Sequence, residues 1–345
     1  MAVGSRTERD RYSRQTRFSG IGQAGQERLR AASVLVVGCG ALGSAAVDLL
    51  ARAGVGHLTV VDRDFVELSN LQRQLLFDEA DAEAGLPKAI AAAKAVARIN
   101  SEVEVEPVVA DVTPNNVEPL VERAQVVIDG TDNLETRYLV NDACVKRGVP
   151  WVYGGAVAST GMAMAIIPGE TACFRCLFPA SVAAGTIATC DTAGVLASTV
   201  VAVASFQWTA AVKLLVGNRE GAGELAAFDV WSQDHEHTPV PRQADCPCCV
   251  RHHFEYLEAK ATSRTATLCG RNAVQVSPPE AVKLDLAQLA ARLKAAGEVT
   301  MRGDFLVRFA VDGHELTIFP DGRAIVKGTS DTSVARALYA RYVGA

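Results

Sequence analysis

Cysteines, a glycine-rich turn and a few well-spaced charges carry the chemistry legible in this sequence. Cys173 and Cys176 form one C-x-x-C pair, and Cys246 and Cys249 form a second that starts 70 residues after Cys176. Four thiolates so arranged suit a closed tetrahedral Zn²⁺ site with no position open for catalysis. Unrelated thiols or redox pairs are the alternative. Cys248 offers a further thiol as a substitute ligand, and His235, His237, His252 and His253 flank the second pair. Four cysteines already complete a site, so these histidines read as a solvated cluster. Cys190 precedes Asp191-Thr192-Ala193-Gly194-Val195, where an apolar helix is expected to begin. A helix N-terminus lowers a thiol pKa and favours the reactive thiolate. Cys39 and Cys144 read as packing residues, and Cys269 as a buried, inert thiol or a second sulfur-handling one.

Gly38-Cys39-Gly40-Ala41-Leu42-Gly43 lies between the apolar run Val34-Leu35-Val36-Val37 and an Ala/Leu-rich helix over 44–53. In that context Gly38, Gly40 and Gly43 permit a tight turn and close approach of a phosphate, which the helix N-terminus stabilises. Asp62 ends the next strand, 22 residues after Gly40, where an acid can bind a ribose hydroxyl; Asp64 follows. This turn alone does not separate NAD from ATP. Three downstream segments do: Ser69-Asn70-Leu71-Gln72-Arg73-Gln74, then Pro87-Lys88, then Thr131-Asp132-Asn133. Arg73 and Lys88 can neutralise a polyphosphate, Asn70 and Gln74 can position phosphate or ribose, and Asp132 can hold Mg²⁺, a hard ion bound by oxygen. Transfer at phosphorus needs mainly such placement and charge neutralisation. Singly, each cation would read as a solvated surface charge; their recurrence at successive strand ends argues for a site.

Positioning these groups requires a scaffold of alternating strands and helices. Strands are expected at 34–37, 57–61, 103–109, 125–129 and 151–153, with a long Ala-rich helix from Lys88 to about Asn100. That alternation predicts an α/β fold, Rossmann-like, doubly wound and mostly parallel. A strand at 163–167, the first cysteine pair and a small-residue loop (179–191) follow. Residues 232–250 are polar, Pro/Cys-rich and without period, so they read as a zinc-bound segment. From 262 a small α+β unit is expected, with a helix over 286–296, three strands broken at Asp312-Gly313 and Asp321-Gly322, and a last helix ending near Tyr342. The division is therefore a helical arm (1–32), a nucleotide-binding domain with the cysteine site (33–261), and a C-terminal appendage (262–345).

Bulk properties bound the function. The 345 residues are 49% hydrophobic and 21% charged, with a net charge of −5. The acidic balance argues against a nucleic-acid binder. The polar start, MAVGSRTERDRYSRQTR, shows no signal peptide, and nine cysteines without one point to a reducing, cytoplasmic setting. Val195 to Val212 has no charge, but a span needs about 20 predominantly apolar residues. Its Ser, Thr and Gln side chains favour a helix buried all round in a core or dimer interface over a membrane segment.

With Arg11-Tyr12-Ser13-Arg14-Gln15, the glycine turn, the Ser69–Gln74 run, Lys88 and Thr131-Asp132-Asn133 in place, the chain over about 8–255 resembles the ThiF/MoeB/HesA adenylyltransferases, relatives of ubiquitin-activating enzymes. The Ser69–Gln74 run is the specific part. The resemblance implies ATP- and Mg²⁺-dependent adenylation of the terminal glycine of a ubiquitin-like sulfur carrier ending in Gly-Gly, by a homodimer. It implies that Arg14 reaches ATP phosphates in the partner subunit, that Asp132 holds magnesium, and that the position of Cys190 links covalently to the carrier in some members. It agrees with a structural zinc. Thiamine, molybdenum-cofactor, cysteine and tRNA-thiolation pathways all use such carriers, with a sulfurtransferase or cysteine desulfurase as sulfur source. Two features depart from the family: Ala197-Ser198 stand where Gly-Pro often follows Gly-Val-Leu, and the last 80 residues lack a sulfurtransferase-type active loop. Carrier docking is the expectation for that appendage. The rival readings are an NAD-dependent oxidoreductase, a non-catalytic scaffold of the same fold, and a relative acting on a peptide or RNA carboxylate.

Overall fold

A computed structural model describes residues 11–179, 193–258, 265–268, 272–278 and 282–344. They fall into two compact units, one drawn from Met1–Glu83 and Pro87–Lys260, the other from Ala84–Leu86 and Ala261–Ala345.

The first unit is built on an eight-stranded sheet in the order β3-β2-β1-β4-β5-β6-β7-β8. β1 (Ser33–Val37), β2 (His57–Val61), β3 (Glu104–Val108), β4 (Val126–Asp129) and β5 (Trp151–Val157) are the strands read from the sequence. β1, β2 and β4 are apolar runs buried on nearly every residue, as central parallel strands must be. All pairings among these five are parallel. The order reverses between β1 and β4, which creates the crevice where such sheets bind ligands. From β5 onward the pairing turns antiparallel, through β6 (Thr160–Ile166), β7 (Glu224–Asp229) and β8 (Asp234–Pro239). The sheet is thus mixed, with its parallel half carrying the nucleotide motifs.

Helices α1 (Gly22–Ala31), α2 (Ala41–Ala53), α3 (Lys88–Ile99), α4 (Val117–Glu122) and α5 (Leu134–Arg147) form the crossovers and the arm. Within the described part of the predicted arm, residues 12–21 make turns and a helix runs from Gly22. α2 and α5 each stop at a glycine in the left-handed region, Gly54 (φ +77°) and Gly148 (φ +68°).

The uncharged stretch forms α6 (Ala197–Val216). It is not buried all round. Thr199, Val200, Val203, Ala204, Gln207, Ala211 and Val212 are buried, with α6 packed on α2, β5 and β6, while Val201, Ser205, Phe206 and Thr209 are exposed. Small Ala, Ser and Thr side chains on both faces mask that amphipathicity in sequence. By length and composition the helix could cross a membrane. Its one-sided packing on the sheet instead makes it a layer of the unit.

In the second unit, β9 (Thr265–Leu268), β10 (Ala273–Val276), β11 (Glu298–Arg302), β12 (Val307–Val311), β13 (His314–Ile318) and β14 (Ala324–Lys327) form an antiparallel sheet ordered β11-β12-β13-β14-β10-β9. Helices α7 (Leu286–Leu293) and α8 (Thr332–Tyr342) pack on one face over Val274, Val307, Phe309, Leu316 and Val326. The sequence reading had three strands; the described residues hold six, all only four or five residues long, which leaves little alternation to read. Both predicted turns are present, and Asp312-Gly313 takes positive φ at both residues, as a tight hairpin requires.

One close contact in the first unit sets a prediction. A Cβ at Gly154 would lie 2.4 Å from the Gln207 amide, itself bonded to the carbonyls of Asp129 and Val152. Gly154→Ala is expected to destabilise the fold by about 1–3 kcal/mol through overpacking, read as a lower midpoint in denaturant.

Candidate functional site

The site begins where β1 ends. Gly38 has φ +84°, and a Cβ there would sit 2.8 Å from the Gly130 carbonyl oxygen. A Cβ on Gly43 would lie 1.9 Å from the Gly38 carbonyl oxygen. The turn therefore folds only without side chains, and it packs directly on the turn after β4. Asp62, at the end of β2, accepts the backbone N–H of Cys39 on Oδ2 and that of Asp64 on Oδ1, each at 2.6 Å. Burial pushes the Asp62 carboxyl up, against the pull of Lys88 and of these amides. Burial likewise raises the Cys39 thiol, so it stays protonated and packs as expected.

Lys88 opens α3, is buried, and places its Nζ 3.4 Å from Asp64 Oδ2; its backbone N–H donates to the Asp64 carbonyl. The Ser69–Gln74 run forms a 3-10 turn over Leu68–Asn70. Asn70 accepts the Glu67 N–H in a capping box, so part of its side chain is committed to shaping that turn. Arg73 donates to the Ser69 carbonyl at 3.1 Å. Gln74 is buried, its Nε2 lies 4.0 Å from where a Gly40 Cβ would be, and its Oε1 has no hydrogen-bond partner among the described residues. A buried amide with an unfilled acceptor beside a glycine turn fits a missing polar ligand.

At the end of β4, Asn133 caps α5 by accepting the Glu135 N–H. Asp132 beside it is exposed. The glycine turn, Asp62, Asp64, Gln74 and Lys88 are thus linked by contacts, and Asp132 joins them through the Gly38–Gly130 approach. Arg14 is exposed and lies outside those contacts. Its neighbours are fastened down: Tyr12 Oη accepts from Asn100 at 2.8 Å, Gln15 donates to the Ala53 carbonyl at 2.9 Å, and Arg11 to that of Ile99 at 3.0 Å. The motif pins a loop to helix ends and leaves Arg14 outward. Cys190 and Cys269 lie outside the described residues.

Two residues at this site were not singled out from the sequence. Arg137 and Gln207 both bond to Asp129, behind Asp132. The only signal for Gln207 is a lone amide in an apolar helix; Arg137 offered none.

The four cysteines converge. Sγ of Cys173 lies 3.9 Å from that of Cys176 and 3.7 Å from that of Cys246, Cys176 lies 3.6 Å from Cys249, and all four sulfurs fall within 4.8 Å of one another. A tetrahedron with ~2.3 Å Zn–S bonds needs about 3.8 Å between sulfurs, so the set fits zinc. The Gln243 N–H points to Cys176 Sγ, and Arg242 donates to the Cys249 carbonyl. Cys248 is not one of the four; it borders Cys173 and Asp142 and accepts from Asn141 Nδ2 at 3.1 Å, while Asn141 Oδ1 accepts the Phe174 N–H. Asn141 thus ties α5 to both cysteine segments. Among the described residues the metal-competent group contains no histidine.

A model described as the ThiF family matches residues 12–248. The chain belongs to the ThiF family. It is 41% identical to the sulfur carrier protein ThiS adenylyltransferase of Bacillus subtilis, over 97% of this chain and 99% of that one. That alignment must take in most of the second unit. It is 43% identical to the SAMP-activating enzyme E1 of Haloferax volcanii, over 70% of this chain and 89% of that one. With the adenylyltransferase and sulfurtransferase MOCS3 of Bos taurus it shares 42% over 72% of this chain, but only 54% of that protein. A crystal structure of E. coli MccB with ATP has a like fold, with a TM-score of 0.61 and 22% identity over 70% of this chain and 74% of that one.

If the thiols hold a structural zinc, Cys249→Ser will bind less than one zinc per chain. Loss of the site should cost about 3 kcal/mol or more, roughly 10 °C in melting temperature at ~2–4 °C per kcal/mol. Metal analysis and thermal unfolding of the same samples check this.

Proposed function

We propose that this protein adenylates the C-terminal glycine carboxylate of a ubiquitin-like sulfur carrier of the ThiS kind, using ATP and Mg²⁺ as a homodimer in the cytoplasm. The observation that carries this reading is the convergence of the glycine turn, Asp62/Asp64 with Lys88, and Asp132 at the carboxyl ends of three adjacent strands, β1, β2 and β4. The unfilled Gln74 acceptor supports a nucleotide there. The near-full-length likeness to the Bacillus adenylyltransferase supports a ThiS-type carrier over a molybdopterin one, since it extends across the second unit, for which carrier docking remains our reading.

The chemistry asks little of the protein beyond placement. A terminal carboxylate has a pKa near ~3.5, so it is ionised and needs no general base. Its oxygen forms a bond to the α-phosphorus, the bond to the bridging oxygen breaks, and pyrophosphate leaves with the electron pair. The product is an acyl-adenylate. Backbone N–H groups of the Gly38–Gly43 turn and the N-terminus of α2 face the phosphates. Gln74, Asn70 and Ser69 orient the nucleotide, with Asp62 toward the ribose and Asn133 shaping the turn beside it. Arg73, Lys88 and Arg14 from a second copy balance the charge that builds on pyrophosphate. Magnesium, held by Asp132, would neutralise phosphate oxygens. Zinc held by Cys173, Cys176, Cys246 and Cys249 would brace the segments that carry them and would take no part in the chemistry.

Sulfur transfer is a separate step. Attack of the Cys190 thiolate on the acyl carbon would expel AMP and leave the carrier on the enzyme as a thioester. A sulfurtransferase or cysteine desulfurase would supply the sulfur.

The decisive assay is ATP–pyrophosphate exchange against a panel of Gly-Gly-ended carriers. Exchange is expected with a ThiS-type carrier, and Asp132→Ala is expected to lower it by at least ~100-fold, in the range of lost transition-state charge stabilisation. No exchange with any carrier would overturn the reading. Arg14→Ala and Asp132→Ala proteins, each inactive, should regain part of the activity when mixed, because a mixed dimer holds one intact composite site. Cys190→Ser should retain exchange and lose the covalent carrier adduct on a non-reducing gel.

A further inference from the structure

The turn that carries Asp132 is held from behind by a buried polar cluster. Arg137 Nε donates to Asp129 Oδ2 at 2.8 Å, with side chains only 11% and 2% exposed. Its second nitrogen, NH2, donates to the Thr131 carbonyl at 2.6 Å and the Gly154 carbonyl at 2.9 Å. The guanidinium also lies 5.3 Å from the centre of the Tyr153 ring. The other Asp129 oxygen accepts the Thr131 N–H at 2.9 Å and its hydroxyl at 2.7 Å. Gln207 reaches across from α6 and donates to the Asp129 carbonyl at 2.7 Å.

These contacts bracket Asp132. Thr131 before it is held through N–H, hydroxyl and carbonyl, and Asn133 after it is fixed as the cap of α5. The Asp132 side chain has no hydrogen bond or ion pair among the described residues. A buried ion pair is weak evidence for stability on its own, because desolvation offsets the attraction. Here its geometry does something specific: the backbone on both sides of an exposed carboxylate is immobilised while the carboxylate is left open. A cation ligand gains affinity when its orientation is set in advance by partners behind it.

We propose that Arg137 is a positioning residue, which with Asp129 and Gln207 presets the Asp132 carboxylate for a divalent cation bound with the nucleotide phosphates. The claim rests on the proposed Mg–ATP site, but not on the identity of the carrier. Lysine at 137 can keep the charge beside Asp129, yet a single ammonium cannot hold Asp129 through one nitrogen and the Thr131 and Gly154 carbonyls through another, as the planar guanidinium does.

The test is calorimetric binding of α,β-methylene-ATP to the full chain, with and without MgCl₂. Magnesium should tighten binding to the wild type. Arg137→Lys should lose that gain by ~10-fold or more, the usual cost of removing a ligand's supporting partner, while binding without magnesium stays unchanged. Thr131→Val, which removes one hydroxyl, should lose part of it. Melting temperatures show whether each variant is folded. A folded Arg137→Lys with the full magnesium gain overturns the proposal. If that variant does not fold, an undiminished gain in Thr131→Val overturns it. So does a wild type that shows no gain. Failure of pyrophosphate exchange with every carrier would sink the proposed reaction and leave this binding result standing.

Discussion

Two strand ends in the first unit approach more closely than side chains allow. The turns after β1 and β4 meet at Gly38 and Gly130, where added Cβ atoms would fall within 3 Å of backbone atoms across the gap, and a Cβ on Gly43 would strike the Gly38 carbonyl within the first turn. Everything at the candidate site inherits its position from that approach. It places the N-terminus of α2 beside the turn bearing Asp132, and the Gly130 N–H donates back to the Val37 carbonyl at 2.8 Å to hold it there. A methyl group at Gly38 or Gly130 would have to separate the strands, and one at Gly43 would have to open the first turn, moving the groups proposed to face a nucleotide. The glycines therefore serve phosphate approach and sheet closure at once, and the second demand is the stricter one.

The antiparallel half of the sheet serves the parallel half. α6 crosses behind it, and through Gln207 its polar contact lands on the carbonyls of Asp129 and Val152. Opposite, the thiol cluster fastens the segments around Cys173 and Cys246, while Asn141 on α5 holds both the Phe174 amide and Cys248. α5 begins at Asn133 and is packed against the cysteine segments further along its length. A metal in that cluster and a nucleotide at the strand ends would act on the middle and the start of one helix. That is a physical reason for a closed structural site to sit in a chain whose chemistry lies elsewhere.

What could be read from sequence follows from how local its cause is. The glycine turn, the acid ending β2, the paired cysteines and Asp312-Gly313 are written in neighbouring residues, and each is where its pattern placed it. β8 escaped because Asp234–Pro239 is an edge strand exposed along its length, so no apolar alternation marks it. The outward face of α6 escaped because Ala, Ser and Thr blur the difference between its sides. Asn70 and Asn133 were read as ligand contacts, and each also carries a local capping bond that competes for its side-chain oxygen. Arg137 was invisible for another reason: its partners, Thr131 just after β4 and Gly154 in the middle of β5, are separated by a whole helix. Arg14 is set apart from these groups in a single chain, and only the proposed reading gives it a role, from a second copy.

The charge arrangement also explains how a site rich in acids can accept a polyanion. Asp62 and Asp64 stand at one strand end and Asp129 at another. Asp129 is answered by Arg137, and its negative charge is spent inside the protein. Asp62 has both oxygens on backbone N–H groups, which answer its charge, while burial pulls the other way, toward the neutral form. Asp64 lies within ion-pair distance of Lys88, so the buried ammonium keeps a partner when no phosphate is present; an unpaired one would cost several kcal/mol. Asp132 is then the carboxylate of this set most open to solvent. On arrival of a polyphosphate, Lys88 can exchange or share Asp64 for phosphate oxygens without an intermediate in which it is bare. The acids thus lower the cost of keeping buried cations in an empty site, and repulsion of the nucleotide is limited because three of the four are already compensated from within.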